Sequence, residues 1–344
     1  MNAVRFTRLA AALVVALSVT AAHAITIDWV TVGDPGNAAD TTGYGAVAAS
    51  FQIMKYEFTN QQYVDFLNAV DPNGTNPNSI YSTSMGSNAR GGISFTSGTT
   101  AGSKYASKTD MGDKPVNFVS WFDVARVANW LTNGATSSSS TETGAYTLSG
   151  STSGNAPAVN PRATVYVPTE DQWYKAAYYK GGSTNAGYWE YATQVTGTAP
   201  TAVTSGSTGI GSAGNTGNSA NYNNGAVWNG ETGNVTTVGT NGGPSAYGAF
   251  DMSGNLYEWN DFTGATDSAR GLRGGSWFFS AATLSASSRE SRAPSTEFGS
   301  FGFRLASPVS SPSGVPEIDP AGMGSVLAIV TGALGLLERR RARR

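Results

Sequence analysis

Glycine recurs about once in eight residues, 43 times in 344, in a chain that also carries 8 Trp, 15 Tyr and 14 Phe. Ordinary soluble domains hold about 7% glycine. Inside a helix or strand each glycine costs about 0.5–1 kcal/mol against alanine, so long regular elements cannot dominate this chain. The aromatics argue against the other extreme, because disordered chains are poor in them. The pattern predicts a loop-heavy globular domain with an aromatic core.

A second constraint is chemical. The chain has no cysteine and a single histidine, His23. Arg5 and Arg8 precede an apolar run from Leu9 to Ala22, and Ala22-His23-Ala24 supplies a small-x-small cleavage pattern. These are the three parts of an export signal, and the run is shorter than the roughly 20 residues of a membrane span. With cleavage after Ala24, residues 1–24 are a signal peptide and the mature chain has no imidazole. Thiolate metal sites, Ser-His-Asp and Cys-His triads, and histidine-held zinc, copper or iron are then excluded. Oxygen-ligated metals, carboxylate chemistry and binding without catalysis remain.

At the other end, Ser307–Gly314 (SPVSSPSG) reads as a polar linker. Pro320–Leu337 follows without a charge, and then Arg339, Arg340, Arg341, Arg343 and Arg344. That run is long enough to span a bilayer, with the arginines holding its end on the cytoplasmic side. The expected organisation is a domain over residues 25–306, a linker and sorting motif over 307–319, and a transmembrane span with an Arg-rich tail over 320–344. Between residues 25 and 314 there are 14 basic and 20 acidic side chains. Such a body offers no footprint for nucleic acid.

Three helices are expected from their start signals. Thr59 with Gln62, and Thr169 with Gln172, form reciprocal capping boxes, and Ser120 with Asp123 forms a weaker one. Tyr63, Phe66, Leu67 and Val70 then fall on one helical face. Short apolar pieces, Phe51–Tyr56, Pro115–Val119 and Thr164–Val167, precede the helices as extended segments. Gly134–Asn155 and Thr196–Asn218 read as surface insertions. The fold class is α+β with low regular secondary structure.

Blocks across almost the whole body resemble the sulfatase-modifying-factor family, which contains the formylglycine-generating enzymes. They are Phe51–Val70 (FQIMKYEFTNQQYVDFLNAV), Pro115–Leu131, Val167–Gly182, Tyr247–Trp259 (YGAFDMSGNLYEW), Leu272–Trp277 (LRGGSW) and Gly302–Leu305 (GFRL). The resemblance implies the formylglycine-generating-enzyme fold, related to C-type lectins. Its enzyme branch oxidises a substrate cysteine with copper held by two cysteines, whose positions here fall by register on Phe279 and Leu284. A sulfoxide-synthase branch uses three histidines for iron. Neither metal can be held that way here, so no copper and no iron are expected. The C-terminal segment resembles a PEP-CTERM sorting signal, which implies processing near Val315-Pro316-Glu317 by an exosortase-type protease.

In this family the segment Asp251–Glu258 wraps calcium, which implies ligands from the Asp251 carboxylate, the Gly254 and Leu256 carbonyls and the Glu258 carboxylate. The chemistry agrees, because calcium takes six to eight oxygens and mixes carboxylates with carbonyls. A second family calcium site would begin at Asn221 and Tyr222, with no downstream ligand placeable in Glu231–Gly239. For ligand binding, Trp277, Phe279, Arg289 and Arg292 are the candidates: aromatics stack on sugars, and arginines bond hydroxyls or carboxylates. Trp277 and Phe279 as core residues, with the arginines paired to Glu290 and Glu297, is the alternative reading. The sequence therefore leads to an exported, surface-associated, calcium-stabilised binding protein for exopolysaccharide or a surface protein partner. The alternative is an enzyme, either a cysteine-free oxidase of the same family or a glycan hydrolase using carboxylates such as Glu170, Asp171, Glu258, Asp261, Glu290 and Glu297.

Overall fold

A computed structural model describes residues 25–212 and 217–309. The segments expected to be a signal peptide and a sorting motif, the apolar run 320–337 and the arginine tail lie outside those residues. Among the described residues no helix is long and apolar enough to cross a membrane.

All three capping boxes form. Thr59 opens α1 (Asn60–Val70), Ser120 opens α3 (Trp121–Thr132) and Thr169 opens α4 (Glu170–Tyr178), each with both reciprocal hydrogen bonds in place. A short helix not foreseen in the sequence, α2 (Thr83–Ser87), lies between the first two. Two sheets are the main frame. One joins β1 (Trp29–Val32), β2 (Phe51–Met54) and, at the far end of the chain, β13 (Ala306–Pro308), in the order β1-β2-β13. The other runs β11 (Glu290–Arg292), β10 (Arg270–Arg273), β9 (Tyr257–Asn260), β12 (Phe301–Gly302), with β12 parallel to β9. Three two-stranded ribbons complete the set: β3 (Ile93–Phe95) with β4 (Tyr105–Ser107), β5 (Thr201–Ala202) with β6 (Ser219–Ala220), and β7 (Val227–Trp228) with β8 (Glu231–Thr232).

The core is as aromatic as the composition predicts. One cluster packs Tyr63, Phe66, Trp121 and Trp130 from α1 and α3 against Tyr257, Trp259 and Phe301 of the second sheet. Another gathers Trp173, Tyr174 and Tyr178 of α4 beside Val32, Phe51 and Ile53 of the first.

Of the extended pieces before the helices Phe51–Met54 is a full strand, while Pro115 and Tyr166 pair through single bridges to Thr59 and Ala306. Two expectations need correction. Ser307 and Pro308 belong to the fold rather than the linker, in register with Gln52 and Phe51. The stretch Gly134–Asn155 is more than a surface insertion. Its Tyr146 is fully buried, donates from its hydroxyl to Asp261 at 2.6 Å and accepts from the Val167 amide at 3.0 Å. A Ser/Thr/Gly-rich run conceals a core residue because one aromatic in a polar stretch has no periodicity to betray it.

Candidate functional site

Strand β9 places the GNLYEW block at the centre of the molecule. Glu258 on that strand is fully buried, and a carboxylate there is tolerable only if paired and hydrogen-bonded. Arg304, two residues after β12, meets it with Nε to Oε2 at 2.6 Å and Nη2 to Oε1 at 2.7 Å. Trp173 of α4 adds its indole N–H at 2.7 Å. The guanidinium also donates to the carbonyls of Met54 and Phe250, tying both sheets to the loop before β9.

Asn255, just before β9, organises the next layer. Its Oδ1 accepts from the Asn221 side chain at 3.1 Å and the Thr236 amide at 3.0 Å, and its Nδ2 donates to Glu57 at 2.7 Å. Thr236 donates on to Asn241, and Asn241 to Asp251 at 2.8 Å. Gly254 has φ +86°, and a Cβ there would lie 2.4 Å from the Asn221 carbonyl oxygen, so the turn admits glycine alone.

The expected calcium ligands can be weighed on this geometry. Glu57, Asp251 and Glu258 are three buried carboxylates around one guanidinium, Arg304. Burial, then Asp251 and Glu258, push the Glu57 carboxyl well above its usual range, and burial also raises Asp251. This excess of negative charge fits a cation. The Glu258 oxygens, however, already hold Arg304 and Trp173, which weighs against Glu258 as a calcium ligand. Among the described residues no three His, Cys, Asp or Glu side chains are grouped as a metal cage. An open acceptor lies instead at Asn221, whose Oδ1 is buried with no hydrogen-bond partner. Asn221 Nδ2 reaches the Asn234 carbonyl at 2.8 Å, so folding supplies a neighbour from the very segment where spacing could place none.

Beyond β10 the chain turns through Gly274 and Gly275, both at positive φ, into Trp277-Phe278-Phe279. Their backbone is pinned: the Trp277 amide donates to Asn255, while the Trp277 and Phe279 carbonyls accept from Asn224 and Asn223 at 2.7 and 2.8 Å. The side chains line a cleft of about 390 Å³ together with Tyr257, Phe298 and Phe301. Edge-to-face contacts link these rings, with centroids 5.5 Å apart for Tyr257 and Phe279 and 5.2 Å for Phe278 and Phe279. Phe278, Phe298 and Phe279 are 53%, 52% and 37% exposed, unusual for phenylalanine on a folded surface. Trp277 is buried and anchors the floor through its indole N–H to the Gly299 carbonyl.

Of the four candidate ligand residues, three come together here: Trp277, Phe279 and Arg292. Arg289 does not. It pairs with Glu170 at 2.7 Å and lies over the Phe262 ring, so neither Glu290 nor Glu297 is its partner. Glu290 and Phe298 come from Ser285–Ser300, the stretch that the sequence pairs with Trp277-Phe278-Phe279 as a candidate surface, whereas sequence reasoning missed Arg90 as a cleft residue. Arg90 carried no signal, since it sits in a plain loop and reaches the cleft only because its guanidinium stacks on Trp277, 4.7 Å from the ring centroid.

The full arrangement sits within a recognised domain: residues 32–309 match the sulfatase-modifying factor enzyme 1-like domain. The chain belongs to this family. Solved structures with similar folds include CarF, at 21% identity and TM-score 0.48, covering 83% of this chain and 99% of that one. Treponema denticola variable protein 1 is 19% identical with TM-score 0.46, covering 83% and 97%. PvdO from Pseudomonas aeruginosa is 17% identical with TM-score 0.41, covering 82% and 92%. No curated protein matches the sequence.

By register, the positions that the family resemblance implies for the copper thiols hold two hydrocarbon side chains, one buried and one exposed. Leu284 is fully buried against Tyr191 and Ala220. Phe279 forms a wall of the cleft. The carboxylates considered for hydrolysis are mostly committed to arginine: Glu170 to Arg273 and Arg289, Glu258 to Arg304, Asp261 to Arg270, and Glu290 to Arg292. The cleft itself is lined by one carboxylate, Glu290.

Proposed function

We propose that this member of the sulfatase-modifying-factor family acts by binding a ligand in the aromatic cleft and has given up the family's redox chemistry. The observation that carries this reading is the occupancy of the two register positions by Phe279 and Leu284, in a chain with no cysteine at all. A hydrocarbon side chain offers no lone pair to a metal, and in its place Phe279 gives the cleft a ring. Exposed phenylalanines held on a pinned backbone suit recognition, because a rigid aromatic surface loses little entropy when a ligand covers it.

The same proposal includes export through residues 1–24, retention at the membrane through 320–337 until an exosortase-type protease acts near Val315-Pro316-Glu317, and a partner at the cell surface. It also includes a structural calcium ion beside Asn221, Tyr222 and Asp251, where buried acid outnumbers buried base. Calcium supplies positive charge to that network, and the residues there hold the loops that carry the cleft.

The test is to mix the purified chain with copper and a cysteine-containing peptide in air and look for peptide aldehyde against a protein-free control. No aldehyde should form beyond the control, in which copper and oxygen alone carry the thiol only to disulfide. Conversion to an aldehyde would overturn the reading and favour the cysteine-free oxidase.

A further inference from the structure

We infer that the cleft selects a neutral glycan over an acidic one. This rests on the reading of the cleft as a binding site and adds the chemistry of what enters it.

The argument starts from charge. Two cations line the cleft, and each is matched. Arg90 pairs with Glu231 at 2.6 Å, donates from Nε and Nη2 to the carbonyls of Gly233 and Thr232, and lies flat on Trp277. Those bonds tie the loop after α2 to the β7–β8 hairpin and occupy Nε and Nη2 of the guanidinium. Gly233 makes the approach possible: a Cβ there would come 2.9 Å from the Trp277 ring. Arg292 pairs with Glu290 at 2.6 Å. The two lie at alternate positions of β11, which puts them on one face of the strand. With Glu231 counted from just outside the lining, each cation at the cleft has its own carboxylate, and a uronate or phosphate would have to compete with that carboxylate for the cation.

The remaining surface is complementary to an uncharged sugar. A pyranose ring presents an apolar C–H face, which suits the exposed Phe278, Phe279 and Phe298. Its hydroxyls both donate and accept, and the Glu290–Arg292 pair at the mouth offers one acceptor and one donor group side by side. Both members are partly open to solvent, at 39% and 43%. An anion would engage Arg292 and be repelled by Glu290, and a cation the reverse. Only a ligand that uses both polarities without net charge satisfies the pair. The volume is at the low end of ligand sites, which fits a short stretch of a polymer.

The test is affinity electrophoresis of the full chain through gels containing a neutral hexose polymer or a polyuronate. The neutral polymer should retard the chain, with retardation unchanged between about 50 and 500 mM salt, since no net charge is screened. Phe278→Ala and Phe298→Ala should each weaken it about tenfold while leaving the melting temperature in place, because each ring is half exposed and its loss forfeits an aromatic contact of about 1.4 kcal/mol. Glu290→Gln releases Arg292 and should add salt-sensitive retardation by the polyuronate. A wild-type preference for the polyuronate, or neutral-polymer retardation indifferent to both phenylalanine variants, would overturn the inference. Retention of aromatic peptides in place of glycan, abolished by Phe278→Ala, would overturn the ligand class and leave the cleft reading standing. Protein-dependent conversion of the peptide cysteine to an aldehyde with copper would remove that reading itself.

Discussion

The centre of this molecule and its cleft invert the usual partition of side chains. Four of the eight arginines in the described residues, Arg126, Arg270, Arg273 and Arg304, are 0–1% exposed, while three phenylalanines stand in the cleft wall at 37–53%. The buried arginines serve as joints. Each is paired to a carboxylate and most reach backbone carbonyls of distant segments, which in a loop-rich fold do the tying that long strands do elsewhere. A guanidinium suits the task because its planar fork satisfies several acceptors at once. The cleft is the opposite case: Phe278, Phe279 and Phe298 leave much of their ring surface to solvent above the buried Trp277, Tyr257 and Phe301.

That contrast can be broken by substitution. Arg304→Met strands Glu258 and its neighbours Glu57 and Asp251 without a cation, and should cost about 3–5 kcal/mol in denaturant unfolding. The double variant Glu258→Gln/Arg304→Met should recover part of that loss; if the single variant costs under about 1 kcal/mol, the joint is not structural.

Calcium gives the next effect in size. If the ion beside Asn221 is bound at 100 times its Kd, its removal costs about 2.7 kcal/mol. Chelation should therefore lower the melting temperature, and Asn221→Ala should abolish the response. An unchanged melting temperature would remove the metal from the proposal.

A pH titration reads the same buried centre. Burial pushes Asp123 up to about 7 and Asp261 up to about 6, against the opposing pull of Arg126 and Arg270 respectively. Both are raised above their unfolded value, so the native state holds protons that the unfolded state releases. Their contribution is full below about pH 4 and is lost as pH rises through about 6 to 7. The melting temperature should fall by a few degrees over that window, less so in Asp123→Asn, and a rise would contradict the assignment.

The smallest expected effect lies at the cleft. Phe278→Ala should change stability by no more than about 0.5 kcal/mol, as a half-exposed side chain does. A loss comparable to that of Arg304→Met would place Phe278 in the core and dissolve the comparison.

Much of the frame was legible in the sequence because its signals are local. A capping box closes within four residues, so Thr59, Ser120 and Thr169 announced helices that tertiary packing had no reason to override. The order of the GNLYEW, RGGSW and GFRL blocks carried the fold, and the missing cysteines carried the expectation of no thiolate-held copper. Other parts were illegible for an equally physical reason. Arg289 and Glu170 are 119 positions apart, and Tyr146 and Asp261 are 115 apart, so only the folded path of the chain brings them together. Spacing likewise could not place Asn234 beside Asn221.

What the sequence determined by itself was which atoms could take part: no thiol, a single imidazole at His23, abundant rings and few charges. Tertiary structure decided their placement, sending Arg289 to Glu170, Arg292 to the cleft mouth and Arg304 to the centre. Composition limits chemistry because a missing lone pair cannot be folded into existence. Position is decided later, because three arginines with the same side chain differ only in which carboxylate the fold sets within reach.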